Sequence, residues 1–245
     1  MADTTPFDED TFSGNVRLFP LPNLVLFPHA MQPLHIFEPR YRAMLEDALA
    51  DDRLIAMALL RPDDEENYFG VPAIEPTICV GKIISAVKLP NGRSNILLGG
   101  AKRAQIIEEL DTTYAYRQAR VKLIEDFYPD EKEHMDLLKD ELTEALDCWL
   151  PDVLRSDEQF RTIFEGNLPL GVLSDVVANC LPLDVAIKQR LLDEPDVEQR
   201  GLMLLDSIAE MEDYGEPSTV EPHPAHDVLR PKQKERTFPP NFSQN

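Results

Sequence analysis

The apolar period of this chain changes once, at Pro129, and that change constrains the fold more than any other feature. Before it, short apolar runs alternate with Pro and Gly: Val16–Phe19, Leu24–Phe27, Leu54–Leu60, Ile78–Leu89, Ser94–Leu98, Arg103–Ile107 and Arg117–Ile124. Runs of that length bounded by turn residues read as strands. One helix interrupts them, opened by Pro39, with Tyr41, Leu45, Ala48 and Leu49 on a face. After Pro129 the period is near 3.6: Met135, Leu138, Leu142, Ala145 and Trp149 mark an amphipathic helix. Strands first and helices second exclude an alternating βαβ fold and predict an α+β chain. The expected organisation is a β barrel-like unit over 15–128 and a helical unit over 129–212. Polar, disordered segments are expected at 1–14 and 213–245.

Local signals refine this reading. Pro90-Asn91-Gly92-Arg93 between two apolar runs predicts a tight hairpin, because Asn and Gly tolerate positive φ. It pairs Ile83–Leu89 with Ser94–Gly100 and sets Lys82 opposite Ala101–Lys102. Ser156 with Gln159, and Asp196 with Gln199, read as capping boxes. Ser174 and Asp184 read as caps of two further helices, ending before Pro182 and Pro195. Asp63–Glu66 reads as a solvated loop tip. The segment 213–245 holds six prolines and few apolar residues, with His223 and His226 among them. Two spaced histidines there predict no metal site.

Composition excludes several classes. The net charge is −21 over 245 residues. Such a chain is a poor partner for nucleic acid or an anionic membrane, where a basic face supplies the binding. Cys79, Cys148 and Cys180 have no CxxC spacing and stand in apolar settings. They read as buried thiols of a reducing compartment, not as a disulfide framework or zinc site. The acidic N-terminus has no apolar stretch of signal-peptide type, and no run reaches the roughly 20 residues a bilayer demands. The expected location is the cytoplasm.

Catalytic spacings are missing from the sequence. It contains no phosphate loop, no Gly-x-Ser-x-Gly elbow and no His-Glu-x-x-His. His29, His35 and His134 have no nucleophile near them in sequence. The expectation is therefore a binding protein with no enzyme activity, cofactor or metal. One reversal of charge stands out. No acidic residue occurs between Glu75 and Glu108, a stretch that holds Lys82, Lys88, Arg93, Lys102 and Arg103. Those five read either as edge-strand cations that block aggregation or as a polyanion patch.

Leu18-Phe19-Pro20-Leu21-Pro22-Asn23-Leu24-Val25-Leu26-Phe27-Pro28, followed by Pro33-Leu34-His35-Ile36-Phe37-Glu38-Pro39-Arg40-Tyr41, resembles the opening of the Lon protease N-terminal domain. Val80-Gly81-Lys82-Ile83, Leu89–Arg93, Asn95–Gly100 and Arg103 resemble its central hairpin. Leu173–Ala178, Lys188–Leu192, Asp196 and Arg200 resemble its closing helices, with Asp193 where that family commonly has Glu. The resemblance covers about 16–212. It implies a PUA-like β pseudobarrel followed by a helical bundle, and a role in binding polypeptide substrates. The ATPase and Ser-Lys protease modules of full-length Lon are not implied, so the expectation is a stand-alone form.

The functional expectation is a module that binds unfolded or exposed polypeptide segments in protein quality control, or as an adaptor, with a protease or chaperone as further partner. Prolines in extended segments remove ladder donors and favour edges or loops. The stretch 27–37 is therefore the expected site, carried by Phe27, His29, Met31 and Phe37. The alternative is RNA or polyanion binding through Lys82, Lys88, Arg93, Lys102 and Arg103, since PUA-like folds include RNA binders.

Overall fold

The structure is a computed structural model that describes residues 7–61, 72–130, 132–149 and 168–213. Six strands form one sheet: β1 (Asn15–Leu21), β2 (Met31–Ile36), β3 (Leu54–Leu59), β4 (Thr77–Lys88), β5 (Ser94–Leu110) and β6 (Gln118–Ile124). Five α-helices lie among the described residues: α1 (Pro39–Ala50), α2 (Lys132–Trp149), α3 (Leu170–Cys180), α4 (Val185–Asp193) and α5 (Val197–Asp213). The class is α+β. The strand order is β2-β5-β4-β3-β1-β6, and β6 also pairs with β5. The 17-residue β5 makes this possible, pairing with β2 through Ser94–Gly99 and with β6 through Arg103–Leu110. The ring of strands thus closes, while β2 stays outside it as an edge. Strands β1 and β3 are parallel neighbours, a pairing that needs a long crossover; β2 and α1 make it.

Several elements differ from the sequence reading. Leu24–Phe27 is irregular rather than a strand. Its apolar run is continuous, with Pro22 and Pro28 at its flanks, and Val25, Leu26 and Phe27 are all buried. An unalternated apolar run does not distinguish a strand from a buried loop. Ser94–Leu98 and Arg103–Ile107 join into the single β5, because Gly99 and Gly100 continue the ladder. Lys82 lies opposite Gly99 instead of Ala101–Lys102: an irregularity of register between Ile83 and Ser85 shifts it by one, and a second, between Val80 and Gly81, restores the count beyond it. At the hairpin tip Asn91 (φ 70°) and Gly92 (φ 72°) are both left-handed, as the tight turn demands.

Helix α3 starts at Leu170, four residues before Ser174, which is buried inside it and does not cap it. Asp184 flanks α4 without a side-chain cap bond. Asp196 does cap α5: its Oδ1 accepts the N–H groups of Glu198 (3.0 Å) and Gln199 (3.2 Å). The Ser156 cap, the Asp63–Glu66 tip and the histidines at 223 and 226 lie outside the described residues. Residues 7–14, expected to be disordered, pack on the barrel: Phe7 and Phe12 lie against a core cluster that includes Leu18, Ile78 and Val80. A second, larger cluster joins the sheet and α1 to the later helices, through Phe27, Ile36, Met44, Leu142, Val177 and Leu204.

Two arginines connect these parts. Arg103 on β5 is 3% exposed and makes two hydrogen bonds to the Asp175 carboxylate of α3, one of 2.9 Å from Nη1 and one from Nη2. Its Nε donates to Leu192 O (3.2 Å) at the end of α4. Arg200 on α5 is fully buried and donates to both oxygens of Asp126 (3.0 and 2.8 Å), just after β6. Burial alone would raise the Asp126 pKa, but the hydrogen bonds and charge of Arg200, with Arg103 nearby, hold it below the ordinary carboxylate value.

Three outcomes follow. Asp175→Ala leaves the buried Arg103 guanidinium with a single carboxylate contact, to Asp126 at 3.4 Å, and should destabilise the fold by about 3–5 kcal/mol, read by urea denaturation. Asp126 is ionised more readily folded than unfolded. Its contribution is therefore complete above the unfolded carboxylate pKa of about 3.9 and is lost as pH falls from there through the lower folded value. Urea midpoints measured below pH 5 should fall less steeply for Asp126→Asn than for the parent chain. At Gly100 a Cβ would stand 1.9 Å from Phe27 O and 2.8 Å from its carbonyl carbon. Gly100→Ala must displace backbone, so it should cost about 1–3 kcal/mol in the same assay.

Candidate functional site

Strands β2, β5 and β4 build the candidate site. Their register sets Met31 opposite Gly99, Pro33 opposite Leu97, and His35 opposite Asn95. On the other side of β5, Leu97 faces Ser85 and Asn95 faces Val87. Directly opposed residues share a face, and this face looks to solvent. Met31 is 56% and Val87 59% exposed; Pro33 is exposed, while Leu97 and Ile84 are half-buried. The alternate positions Ile36, Ile96, Leu98 and Ile83 are buried. A Cβ at Gly99 would meet Ile84 Cγ1 at 3.2 Å and Met31 Sδ at 3.3 Å. The missing side chain lets Met31 and Ile84 approach across β5, on a face that also carries Lys82, Ser85, His35 and Asn95.

The edge has its own chemistry. The Gly100 N–H donates to Ala30 O at 2.8 Å. Hydrogen-bonded pairs alternate with unbonded ones in an antiparallel ladder, so Pro33 falls at an unbonded position. Its absent donor lies on the free side, where a proline costs no ladder bond. A chain laid along β2 would meet no donor at Pro33, so side-chain contact, rather than strand addition, is the interaction this surface offers.

The expected site residues separate. Phe27 is 0% exposed and belongs to the core; it offers no contact surface, because the Leu24–Phe27 loop folds inward. His29 is exposed, in a left-handed turn (φ 63°) fixed by its N–H donating to Gly100 O at 3.0 Å. Met31 stands on the strip. Phe37 is half-buried, its ring stacked on His35 at 6.0 Å, and His35 Nδ1 lies 2.7 Å from Asn95 Oδ1. Ile84, Val87, Leu97 and Pro33 were not singled out from sequence. The alternation in β4 and β5 carries that information, but only the pairing register assigns one phase of it to solvent.

The five cations do not assemble into a patch. Arg103 is buried in its pair with Asp175, a correction to the sequence reading: a helix far along the chain supplies the carboxylate. Lys102 Nζ lies 2.6 Å from Glu9 and 3.0 Å from Glu125. Lys82 is half-buried, and Lys88 and Arg93 are exposed at the hairpin tip. The cysteines separate too. Cys79 is fully buried, which pushes its thiol up to about 12, whereas Cys180 is exposed rather than buried. Among the described residues no three His, Cys, Asp or Glu side chains form a metal-binding group, and no helix is long and apolar enough to cross a membrane.

Comparison with known proteins places this geometry. Two solved structures share the fold. The N-terminal domain of a Mycobacterium avium complex Lon protease has a TM-score of 0.62 at 19% identity, covering 80% of this chain and 98% of that one. The Lon N-terminal domain protein from Xanthomonas campestris has a TM-score of 0.56 at 22% identity, covering 78% and 97%. In sequence, Lon protease 2 of Herpetosiphon aurantiacus is 30% identical over 75% of this chain and 22% of its own length. Lon protease 1 of Bacillus subtilis is 27% identical over 79% and 25%. The chain thus spans about a quarter of the length of these relatives. The family model of the ATP-dependent protease La (LON) substrate-binding domain matches residues 15–210, from the first strand into the last helix. The chain belongs to the Lon substrate-binding domain family.

Proposed function

We propose that this chain binds exposed apolar segments of polypeptides through the solvent face of β2, β5 and β4, as a module of protein quality control or an adaptor. The observation that carries the reading is the strip of solvent-facing apolar side chains Met31, Ile84, Leu97 and Val87, with Met31 and Ile84 closing over Gly99. Unbranched, polarizable Met31 adapts to ligands of different shape, and Pro33 keeps the edge from pairing indiscriminately. Family membership supports the reading, since the family is that of a substrate-binding domain. A protease or chaperone is the downstream partner such a module would serve. Cytoplasmic residence suits the free thiols Cys79 and Cys180. The polyanion alternative is weakened by the engagement of Arg103 and Lys102 with carboxylates; Lys88 and Arg93 at the hairpin tip are its remaining support.

The test is fluorescence titration with a reduced, carboxymethylated, unfolded polypeptide. Burial of one such side chain is worth about 1.5–3 kcal/mol, and about 1.4 kcal/mol is one decade of affinity. Met31→Ala with Val87→Ala should weaken binding ten-fold or more. Both residues are exposed, so the melting temperature should barely move. Phe27→Ala should instead cost about 3–5 kcal/mol of stability. Unchanged affinity in the stable double variant rejects the strip as the site, and steep loss of parent binding with salt favours the polyanion alternative.

A further inference from the structure

Residues 7–13 precede the family match, which begins at residue 15, and lie as a strap on the barrel. Their hydrogen bonds are largely internal. Phe12 N–H donates to Glu9 O (3.2 Å), Asp10 N–H to Asp8 Oδ1 (3.1 Å), and Thr11 Oγ1 to Asp8 O (3.3 Å). The strap's turn therefore does not depend on the barrel ladder, which the chain joins at Gly14, whose carbonyl accepts from Val121 N–H at 2.8 Å. Side chains attach the strap. The rings of Phe7 and Phe12 meet edge to face at 5.5 Å and cover the barrel cluster. Glu9 reaches Lys102 at 2.6 Å. Between strap and barrel lies a cavity of about 380 Å³, whose barrel side is Asp51, Asp52, Leu54 and Lys82; Arg17 neutralises the two aspartates, at 2.7 and 2.6 Å.

Among the described residues the strap is held by two rings and the Glu9–Lys102 ion pair, over incompletely filled space, the kind of attachment a competing segment can replace. Its chemistry is specific: an aromatic residue, three acidic residues, a threonine and a second aromatic residue, in a molecule of net charge −21. Of the three acidic residues, Glu9 pairs with Lys102, which stands beside the cavity and also holds Glu125. We propose that the strap occupies a second polypeptide-binding groove, which accepts in trans segments with two aromatic residues flanking an acidic cluster, and that the strap is their intramolecular competitor. None of Met31, Ile84, Leu97 and Val87 borders this cavity, although Lys82, which does, lies opposite Gly99; the variant Met31→Ala with Val87→Ala separates the two readings.

The test uses the full chain and a fluorescein-labelled peptide of residues 5–14. The variant Phe7→Ser with Phe12→Ser should bind the peptide at least ten-fold more tightly than the parent, by anisotropy. Adding Lys102→Glu, or replacing both phenylalanines of the peptide by Ser, should remove that gain, while Met31→Ala with Val87→Ala should not. A second readout serves if the double variant is unfolded. With 4-fluorophenylalanine at 7 and 12 of the otherwise unchanged chain, excess unlabelled peptide should shift both ¹⁹F signals to the positions of a free strap. A folded double variant with no gain in affinity, a gain indifferent to Lys102→Glu, or ¹⁹F signals unmoved at saturating peptide each overturn the proposal.

Discussion

Two buried guanidiniums join the sheet to the helices, and the rest of the structure depends on their being satisfied. Arg103 projects from β5 to Asp175 on α3, and Arg200 projects from α5 to Asp126 after β6. A buried charge is tolerated only when paired and hydrogen-bonded, so every element that supplies a partner is held in place. The carbonyls of Leu192 and Glu194 accept further bonds and fix the passage from α4 to α5, while Arg200 Nε makes no hydrogen bond and lies 3.6 Å from Asp175. The apolar cluster shared by barrel and helices supplies bulk attraction. The ion pairs supply direction, because a placement that parted either guanidinium from its carboxylate would leave a buried charge unpaired.

The second constraint is the absence of side chains at Gly99 and Gly100. Gly100 lets the Phe27 carbonyl approach β5, which seats the 24–30 loop and directs Phe27 inward. Gly99, one residue earlier, lets Met31 and Ile84 close over the opposite face. Adjacent residues of a strand face opposite ways, so this dipeptide serves core and surface together. It is also where β5 passes from β2 toward β6, the exchange of partner that closes the ring and leaves β2 at its margin.

The acidity of the molecule acts in the same direction. In a chain with 45 acidic and 24 basic side chains, carboxylates reach many of the described cations. Arg17, Lys102, Arg103, Arg117 and Arg200 all stand in ion pairs. A run of sequence free of acid is therefore not a surface free of acid: Glu9 and Glu125 reach Lys102 from outside the run, and Asp175 reaches Arg103 from another element altogether.

By itself the sequence determined what is local. Periodicity separated strands from helices at Pro129, Asn91-Gly92 specified the hairpin tip, Pro39 opened α1, and Asp196 capped α5. Each rests on φ preference or on a hydrogen bond within a few residues, so it is readable in order along the chain. The exposure of Met31 was legible because prolines mark edges. Phe27 was not legible as core, nor Arg103 as a structural cation, because burial depends on what packs over a residue and not on its neighbours in sequence. The strap was illegible for the same reason: Phe7 and Phe12 gain their apolar partners only from a closed barrel. Tertiary structure alone chose which phase of β4 and β5 meets solvent, because a single-residue irregularity of register exchanges the two faces and no periodicity records it.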